Sequence, residues 1–342
     1  MKYDVNIDLA NAAKKEMEEH LNRKDSRIIK RTSDFACLYD FGNKYKHPVL
    51  VLKTEEPGSK QLIAAQHDRI EGVCFDMINH LINDCIVMGA TPLAVQDAVI
   101  CGKLDKSLVN RIVKAISLAC KVNDCLLTGG ETSEQPGVLS DGTYILTSSI
   151  VGVVEKDHII AGDNISEGDV VIGLASNGIH TNGYTLVRRL MSTYPEILDE
   201  NIAGESFIDA ILKPHVCYYP ALKDLFGAKS PLKGMAHITG GGIAENLNRV
   251  LPKTVNAVID LTAYAVTPIF GVLKKYGNIA EPEMLRTFNM GVGLAAVVSA
   301  KDADKVIKHV NDKGIAAKKI GVVVKGEGKV ICEGEFAYGK KT

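Results

Sequence analysis

Acidic, amide and imidazole side chains recur along one predicted helix, residues 72–88. Helix-stopping residues follow it, since Gly89 comes next and Pro92 lies just beyond. At 100° per residue, five polar side chains share one stripe and apolar side chains lie opposite: Asp76, Asn79, His80, Asn83 and Asp84. The stripe contains no cation, although a solvated face usually pairs acids with Lys or Arg. It favours a site for a hard divalent ion such as Mg²⁺, with an ordinary solvated helix face as the alternative.

Three glycine-bearing segments each follow a predicted strand, at residues 129–132, 177–183 and 237–242. The second and third lead into predicted helices that begin at Tyr184 and Ile243. Glycine lets a backbone approach a ligand closely, and the free N–H groups at the start of a helix attract anions. One such loop is a weak signal, but three loops rich in Asn, His, Thr and Glu favour phosphate binding.

Composition and charge restrict the class of protein. The 342 residues include 40 basic and 41 acidic side chains, for a net charge of −1, and 46% of the residues are hydrophobic. This balance argues against a nucleic-acid-binding protein. No apolar run reaches the roughly 18–20 residues of a membrane span, and the charged start lacks the apolar core of a secretory signal. Eight cysteines without a C-x-x-C pair are typical of reduced, mostly buried thiols. We therefore expect a cytoplasmic protein with no nucleic-acid or membrane partner.

Predicted strands and helices alternate along the chain, which indicates an α/β or α+β fold. Short apolar runs at 49–52, 125–128 and 170–174 predict strands, and a second amphipathic helix is predicted at 108–121. A polar stretch punctuated by glycine at 155–169 predicts a junction between two domains, residues 1–160 and 161–342.

Several standard site signatures are absent or misleading. The sequence lacks G-x-x-x-x-G-K-[ST], which excludes a Walker-type phosphate loop, and it lacks G-x-S-x-G and H-E-x-x-H. Residues 291–296 fit G-x-G-x-x-[GA], but Val297 and Val298 predict a strand where the dinucleotide motif requires a helix. His67, His215 and His309 have no partner pattern, so we expect them at the surface or in packing.

Taken together, the motifs resemble the aminoimidazole ribonucleotide synthetase (phosphoribosylformylglycinamidine cyclo-ligase) family. In the first half, N-D and G-A-T-P occur within residues 83–92 and G-G-E-T at 129–132. The second half contains N-G-I-H-T-N-G-Y-T-L-V-R at 177–188, H-I-T-G-G-G at 237–242 and T-F-N-M-G-V-G at 287–293. The resemblance is collinear over nearly the whole chain.

The resemblance implies a fold and an activity. The fold is a two-domain α/β (α+β) arrangement, with an N-terminal β-rich domain that binds ATP and Mg²⁺ and dimerises, and a C-terminal α/β domain that completes the substrate site. The activity is ATP-dependent cyclisation of formylglycinamidine ribonucleotide to 5-aminoimidazole ribonucleotide in purine biosynthesis, with release of ADP and phosphate. In this family the ATP γ-phosphoryl group activates the formamide oxygen before ring closure, and such transfer depends on positioning and charge neutralisation.

The resemblance also assigns roles to individual residues. The implied catalytic residues are Asp84, His237, which would steer a proton or stabilise the phosphorylated oxygen, and Lys60, near the β- or γ-phosphate. The implied metal ligands are Glu55, Asp76, Asp84 and Glu131. The implied nucleotide contacts are Glu55, Gly129, Gly130, Glu131, Asn182, Thr239, Gly240 and Gly241. The phosphate or formamide side of the substrate is assigned to His180 and Asn182.

Departures from the family pattern lie in the first half. The family's D-G-V-G-T-K appears as E-E-P-G-S-K at 55–60, where Pro57 stiffens a glycine turn. A glycine-rich segment is replaced at 32–42 by one with a single glycine. The N-terminal arm is short, and the sequence does not assign the family's arm lysine to either Lys14 or Lys15. These departures leave two alternatives to a working cyclo-ligase. One is a catalytically altered or silent ATP-binding paralogue, and the other is a different ATP-dependent phosphoryl-transfer enzyme of the same superfamily.

Overall fold

Two β-sheets organise the chain in a computed structural model that describes residues 12, 15–17, 19–21, 25–29 and 36–338. A four-stranded sheet is built before residue 156 and a six-stranded sheet after residue 169. Lys14 and residues 32–35, which the sequence comparison singled out, lie outside the described residues. The mixed α/β architecture confirms the predicted fold class.

The first sheet has the strand order β3–β6–β4–β5, formed by Pro48–Glu55 (β3), Thr91–Cys101 (β4), Leu126–Glu134 (β5) and Tyr144–Glu155 (β6). Before it come Ile28–Ile29 (β1) and Leu38–Tyr39 (β2), which pair with each other. Only the β4–β5 pair of the sheet is parallel. The accompanying helices are Lys60–Gln66 (α1), Ile70–Ile86 (α2) and Lys106–Lys121 (α3).

The second sheet has the order β10–β12–β7–β13–β11–β14. Its strands are Val170–Ala175 (β7), Leu232–His237 (β10), Val255–Asp260 (β11), Val292–Val298 (β12), Ala317–Lys325 (β13) and Val330–Glu333 (β14). Asn201–Ile202 (β8) and Glu205–Ser206 (β9) form a separate hairpin. Strand β12 is buried along its whole length, as its uninterrupted apolar sequence requires, so residues 291–296 do not form a dinucleotide-binding turn.

The helices of the second half are short. They are Tyr184–Thr193 (α4), Phe207–Ile211 (α5), Tyr219–Leu222 (α6), Gly242–Leu247 (α7), Pro268–Gly277 (α8), Glu281–Thr287 (α9) and Ala303–Asp312 (α10). Single 3₁₀ turns lie at Lys156–His158, Pro195–Asp199, Lys223–Leu225 and Asn248–Val250. Among the described residues, none of the helices is both long and apolar enough to cross a membrane. Five of the eight cysteines are buried, which confirms the prediction of mostly buried thiols.

Helix α2 joins the two halves of the chain. One side packs on β3 and β6 of the first sheet, and its polar stripe meets a segment of the second half. The Asn79 amide donates to the carbonyl of His215 (2.6 Å) and the Asn83 amide to that of Val216 (2.7 Å), while the backbone N–H of Tyr218 donates to Asn83 Oδ1 (2.9 Å). The polar stripe is therefore an internal interface, and the alternative of an ordinary solvated helix face is wrong.

Candidate active site

Four histidines meet where the C-terminal half of α2 faces the second sheet. His80 lies on α2, His180 in the loop after β7, His215 in the segment before α6, and His237 at the end of β10. The His180 and His215 rings stack with centroids 3.9 Å apart, and the His237 ring lies 4.9 Å from both His80 and His215. All four are buried. Two distant halves of the chain therefore build one imidazole cluster.

A charged group borders this cluster. His237 Nδ1 lies 2.7 Å from Asp84 Oδ1, and Lys53 Nζ lies 3.1 Å from Asp84 Oδ2 and 2.7 Å from Glu55 Oε1. Burial alone would raise the pKa of Asp84, but its contact with His237 and the neighbouring Lys53 hold that pKa well below its usual range. Burial likewise opposes the charge of Lys53, yet its two carboxylate partners raise its pKa. Asp84 is therefore ionised and held in place from both sides.

The imidazoles are neutral where burial is deepest. Burial lowers the pKa of His80 to about 4, and it lowers the pKa values of His180 and His215 well below the ordinary range. His80 Nδ1 lies 3.1 Å from Thr181 Oγ1, and His215 Nε2 lies 2.9 Å from His237 Nε2. Neutral imidazoles keep a lone pair on one ring nitrogen, so these rings can bind a cation or accept a proton.

His180 differs from its neighbours because neither of its ring nitrogens has a hydrogen-bond partner among the described residues. Both ring nitrogens are buried without a hydrogen bond to any described residue, and its backbone has a positive φ of 65°. A buried, unsatisfied imidazole costs free energy unless a ligand completes it, and strained backbone concentrates at functional sites. This geometry supports the substrate contact that was predicted for His180.

Lys60 and Asp76 form a buried ion pair. Lys60 Nζ donates to Asp76 Oδ1 (2.9 Å) and to the carbonyls of His180 (3.1 Å) and Lys213 (2.6 Å), which uses all three of its N–H groups. Burial raises the pKa of Asp76 to about 6, an effect that Lys60 partly opposes, and burial lowers the pKa of Lys60. In this arrangement Lys60 has no donor left for a phosphate.

Asp76 also lies too far along α2 to share an ion with Asp84. Eight residues separate the two, which corresponds to about 12 Å along a helix axis. Asp76 instead accepts from Lys60 and from the backbone N–H of His215 (2.7 Å). The structure therefore does not bring Asp76 into the predicted metal centre, because its carboxylate ties the 213–218 segment to α2.

The predicted glycine turn at 129–132 is wrong, since these residues lie within β5. Gly130 pairs with Asp97 on β4, and a Cβ at Gly130 would lie 2.1 Å from Asp97 Oδ1, so only glycine fits there. Glu131 is exposed and pairs with Ala98, one residue further along. Successive side chains of a strand face opposite sides of the sheet, so Glu131 lies on the other face from Asp97. Gly129, Gly130 and Glu131 thus form no helix-start phosphate loop, and Glu131 does not share the Asp97 face of the sheet.

A polar row crosses the first sheet on the Asp97 side. The register places Glu55, Ser148, Asp97 and Gly130 next to one another on four successive strands. Burial raises the pKa of Asp97 to about 7, so this carboxyl is partly protonated at neutral pH. Asp97 follows the G-A-T-P motif in the sequence, but nothing there indicates its burial.

The second and third glycine loops lie side by side. The Asn182 amide nitrogen is 3.5 Å from the position that a Cβ at Gly240 would take. The Asn246 amide donates to the carbonyls of Thr239 (3.3 Å), Gly240 (3.1 Å) and Gly242 (2.8 Å), and so fixes this loop. The structure therefore brings together four residues whose role as nucleotide contacts stays a prediction: Asn182, Thr239, Gly240 and Gly241, beside His237.

Three residues of the site were missed by sequence reasoning. Lys53 lies in a strand and had no motif, while His80 was noted only as part of the stripe. His215 was expected at the surface or in packing, yet its ring contacts His237. A paired position such as His80 and Asp84, four residues apart on one helix face, is the only signal that could have identified His80.

Taken together, the fold and the site define an α/β enzyme with a buried polar centre between two sheets. Two models of AIR synthase related proteins match the chain, the N-terminal domain model at residues 33–154 and the C-terminal domain model at residues 166–333. The chain therefore belongs to the AIR synthase related family. It is 43% identical over 289 residues to a phosphoribosylformylglycinamidine cyclo-ligase of Burkholderia ambifaria (strain MC40-6), covering 84% of this chain and 82% of that protein.

Solved structures share the fold at low sequence identity. Thiamine-monophosphate kinase from Stenotrophomonas maltophilia K279a superposes with a TM-score of 0.66 at 15% identity, covering 97% of this chain and 98% of that chain. The hydrogenase maturation protein HypE in complex with ATP gives a TM-score of 0.67 at 15% identity, covering 96% of this chain and 92% of that chain. These two structural similarities show a shared fold only.

Proposed function

We propose that this protein catalyses the ATP-dependent cyclisation of formylglycinamidine ribonucleotide to 5-aminoimidazole ribonucleotide, with release of ADP and phosphate, in purine biosynthesis. The observation that carries the proposal is the 43% identity to a named cyclo-ligase across 84% of the chain. The candidate centre supports it, because Asp84, His180 and His237 of the implied site meet at one place.

The centre suits proton handling during ring closure. The attacking amidine nitrogen loses a proton, and His237, set between Asp84 and His215, is a positioned imidazole that can accept or relay it. Asp84 fixes the orientation of the His237 ring, as a carboxylate does in other acid–base sites. His180, whose ring nitrogens have no partner among the described residues, is available to bind the formamide or the substrate phosphate.

ATP and Mg²⁺ belong to this proposal as phosphoryl donor and accompanying ion. Mg²⁺ is usually held by one or two carboxylates together with phosphate oxygens and water, and Glu55 and Asp84 fit that role. When bound, the ion neutralises charge on the transferred phosphoryl group. Lys53 lies between the same two carboxylates, and the Asn182–Gly240 loops offer amide donors for a phosphate.

A cytoplasmic location stays a prediction.

We also propose a homodimer that forms through the first sheet. The face turned away from α2 exposes large apolar side chains, with Leu50 53% and Leu52 70% exposed on β3 and Ile145 36% exposed on β6. Such a patch on an open sheet is typical of a subunit interface.

A coupled assay for ADP release, with and without formylglycinamidine ribonucleotide, tests the activity. We expect release that depends on this substrate, and we expect Asp84→Asn to reduce it by at least about 100-fold, by analogy with the loss of an orienting carboxylate. Asp141→Asn, at an exposed turn, is the matched control and should leave the rate unchanged. Absence of substrate-dependent release, together with failure to rescue a purine auxotroph lacking this step, would contradict the proposal.

One observation favours the alternative of a silent ATP-binding paralogue. Lys60 has no free donor, and Lys53 already bridges Glu55 and Asp84, so both cations nearest the centre are engaged by protein groups. Calorimetry that detects ATP binding without ADP release for any substrate would support this alternative.

A further inference from the structure

The donor set at the centre differs from the four carboxylates that the sequence predicts for Mg²⁺. Asp76 is paired with Lys60, and Glu131 lies exposed on another face of the sheet. Asp84, one of those four, converges instead with two histidines, because one ligand atom each from His80, Asp84 and His237 lies within 4.8 Å of the others. We infer that this centre binds a divalent transition-metal ion of the Zn²⁺ or Co²⁺ class through His80 Nε2, the Asp84 carboxylate and His237 Nδ1.

The distances suit such an ion. Donor atoms about 2.1 Å from a tetrahedral ion are about 3.4 Å apart. His80 Nε2 lies 3.6 Å from Asp84 Oδ2, which is beyond hydrogen-bond distance and close to that spacing. His237 Nδ1 lies 2.7 Å from Asp84 Oδ1, so this contact must lengthen when the ion replaces the shared proton. Glu55 Oε1, 3.8 Å from His80 Nε2, can supply a fourth donor.

The far nitrogen of each ligating ring is already oriented. His80 Nδ1 lies 3.1 Å from Thr181 Oγ1, and His237 Nε2 lies 2.9 Å from His215 Nε2. One tautomer set satisfies both contacts, in which His80 donates from Nδ1 to Thr181 and His237 donates from Nε2 to His215. With the ion bound, the ligating nitrogens direct their lone pairs at the metal, and His237 Nδ1 no longer shares a proton with Asp84. Metal-binding histidines are typically held in this way through the second nitrogen.

The ligand types also determine selectivity. Imidazole suits Zn²⁺, Co²⁺ and Ni²⁺, whereas Mg²⁺ prefers oxygen ligands and releases its water reluctantly. Two imidazoles and one carboxylate are therefore a poor Mg²⁺ site and a good transition-metal site. The inference rests on the proposed function and deepens it: Glu55 and Asp84, assigned above to the ion that accompanies ATP, would together with the two histidines hold an ion of this class.

Lys53 competes with the ion. Its ammonium lies 3.1 Å from Asp84 Oδ2, where it takes part of the negative charge that a metal would use. The Lys53 side chain is 38% exposed, so it can move into solvent when a metal binds. Replacing Lys53 with an uncharged side chain should therefore tighten metal binding, an effect opposite to that of losing a ligand.

The test is metal binding to the full chain, stripped with a chelator, without nucleotide or substrate. Calorimetry and Co²⁺ absorption spectroscopy should detect one Co²⁺ per chain with the visible bands of a low-coordination site. Zn²⁺ should displace it, and a large excess of Mg²⁺ should not. His80→Gln should weaken binding by at least about 100-fold. His215→Phe removes the contact that orients His237 but keeps an aromatic ring next to His180, and should weaken binding by about 10–100-fold. Lys53→Met should tighten it by at least about 10-fold, because a competing cation is lost.

His67→Ala removes an exposed histidine away from the centre and should bind Co²⁺ as the native chain does. Co²⁺ binding that is unchanged by His80→Gln and Lys53→Met, or Mg²⁺ displacing Co²⁺ at equal concentration, would overturn the inference. Circular dichroism of each variant verifies folding. The gain in Co²⁺ affinity expected for Lys53→Met cannot result from misfolding. ADP release measured separately distinguishes the two proposals, since the enzyme can be active without this ion and the ion can bind to an inactive protein.

Discussion

Replacing Lys60 with methionine separates two roles for this side chain, a structural one and the phosphate contact that the sequence predicts. Lys60 and Asp76 are both fully buried, and the ammonium joins α1 and α2 to the backbone of His180 and Lys213. Removing one partner of a buried ion pair leaves an uncompensated charge, which costs about 3–5 kcal/mol. We expect Lys60→Met to lower the free energy of unfolding by that amount at pH 8.

The pH dependence follows from the surviving carboxylate. Without Lys60, burial raises the pKa of Asp76 further above its value in the unfolded chain, so the folded state binds a proton that the unfolded state releases. The loss of folding free energy is therefore present at pH values above the pKa of Asp76 in the folded variant. It is relieved as the pH falls through that pKa, because the buried carboxyl becomes neutral. The deficit of Lys60→Met relative to the native chain should be smaller at pH 5 than at pH 8.

Urea unfolding followed by far-ultraviolet circular dichroism measures these differences, and two variants serve as controls. Lys60→Met combined with Asp76→Asn removes both charges and should recover most of the loss, because no buried charge is left unpaired. Lys308→Met breaks the exposed Lys308–Asp312 pair and should change stability by less than about 1 kcal/mol. If Lys60→Met costs no more than Lys308→Met while ADP release is lost, the structural role is refuted and the phosphate role is favoured.

Three further predictions follow from the first sheet. Asp97→Asn should stabilise the protein at pH 8 and lose this advantage towards pH 4 in urea unfolding, because the raised pKa of about 7 makes the ionised native carboxyl costly; an equal effect at both pH values would contradict this. Gly130→Ala should cost about 1–3 kcal/mol in the same assay, since its Cβ would clash with Asp97, whereas Gly129→Ala, with open space, should be nearly neutral. Leu52→Glu should convert a dimer to a monomer in analytical ultracentrifugation, and Val138→Glu, at a side chain 75% exposed in a loop, should not.

Sequence reasoning identified the right helix and misjudged several of its neighbours. The stripe on α2 was recognisable because five polar side chains without a cation repeat at helical spacing. Its burial depends on the 213–218 segment, which is more than 130 residues away in sequence and has no motif that indicates the contact. The mixed α/β fold was predictable for a simpler reason. Short apolar runs such as 170–174 predict buried strands, and the helical spacing of apolar residues in α3 predicts an amphipathic helix.

The remaining errors have one physical origin. Lys60 and Asp76 are 16 residues apart on two helices. Only the packing of α1 on α2 turns a predicted phosphate contact and a predicted metal ligand into an ion pair. Gly129 and Gly130 look like a turn in the sequence, yet a strand accepts glycine where a neighbouring side chain needs the space, as Asp97 does. The spacing of residues along the chain predicts local geometry. Which residue a charged side chain pairs with depends on tertiary contacts.

The polar stripe of α2 also explains why the centre requires both halves of the chain. Asp76, Asn79 and Asn83 bond to the backbone of 215–218, and the last residue of the stripe, Asp84, reaches His237 in the second sheet. Buried polar groups are costly unless all are satisfied, so a shift of the second half would leave several unpaired at once. The contacts that hold the two halves together therefore also fix the distance between Asp84 and the histidines, which couples the geometry of the centre to the stability of this interface.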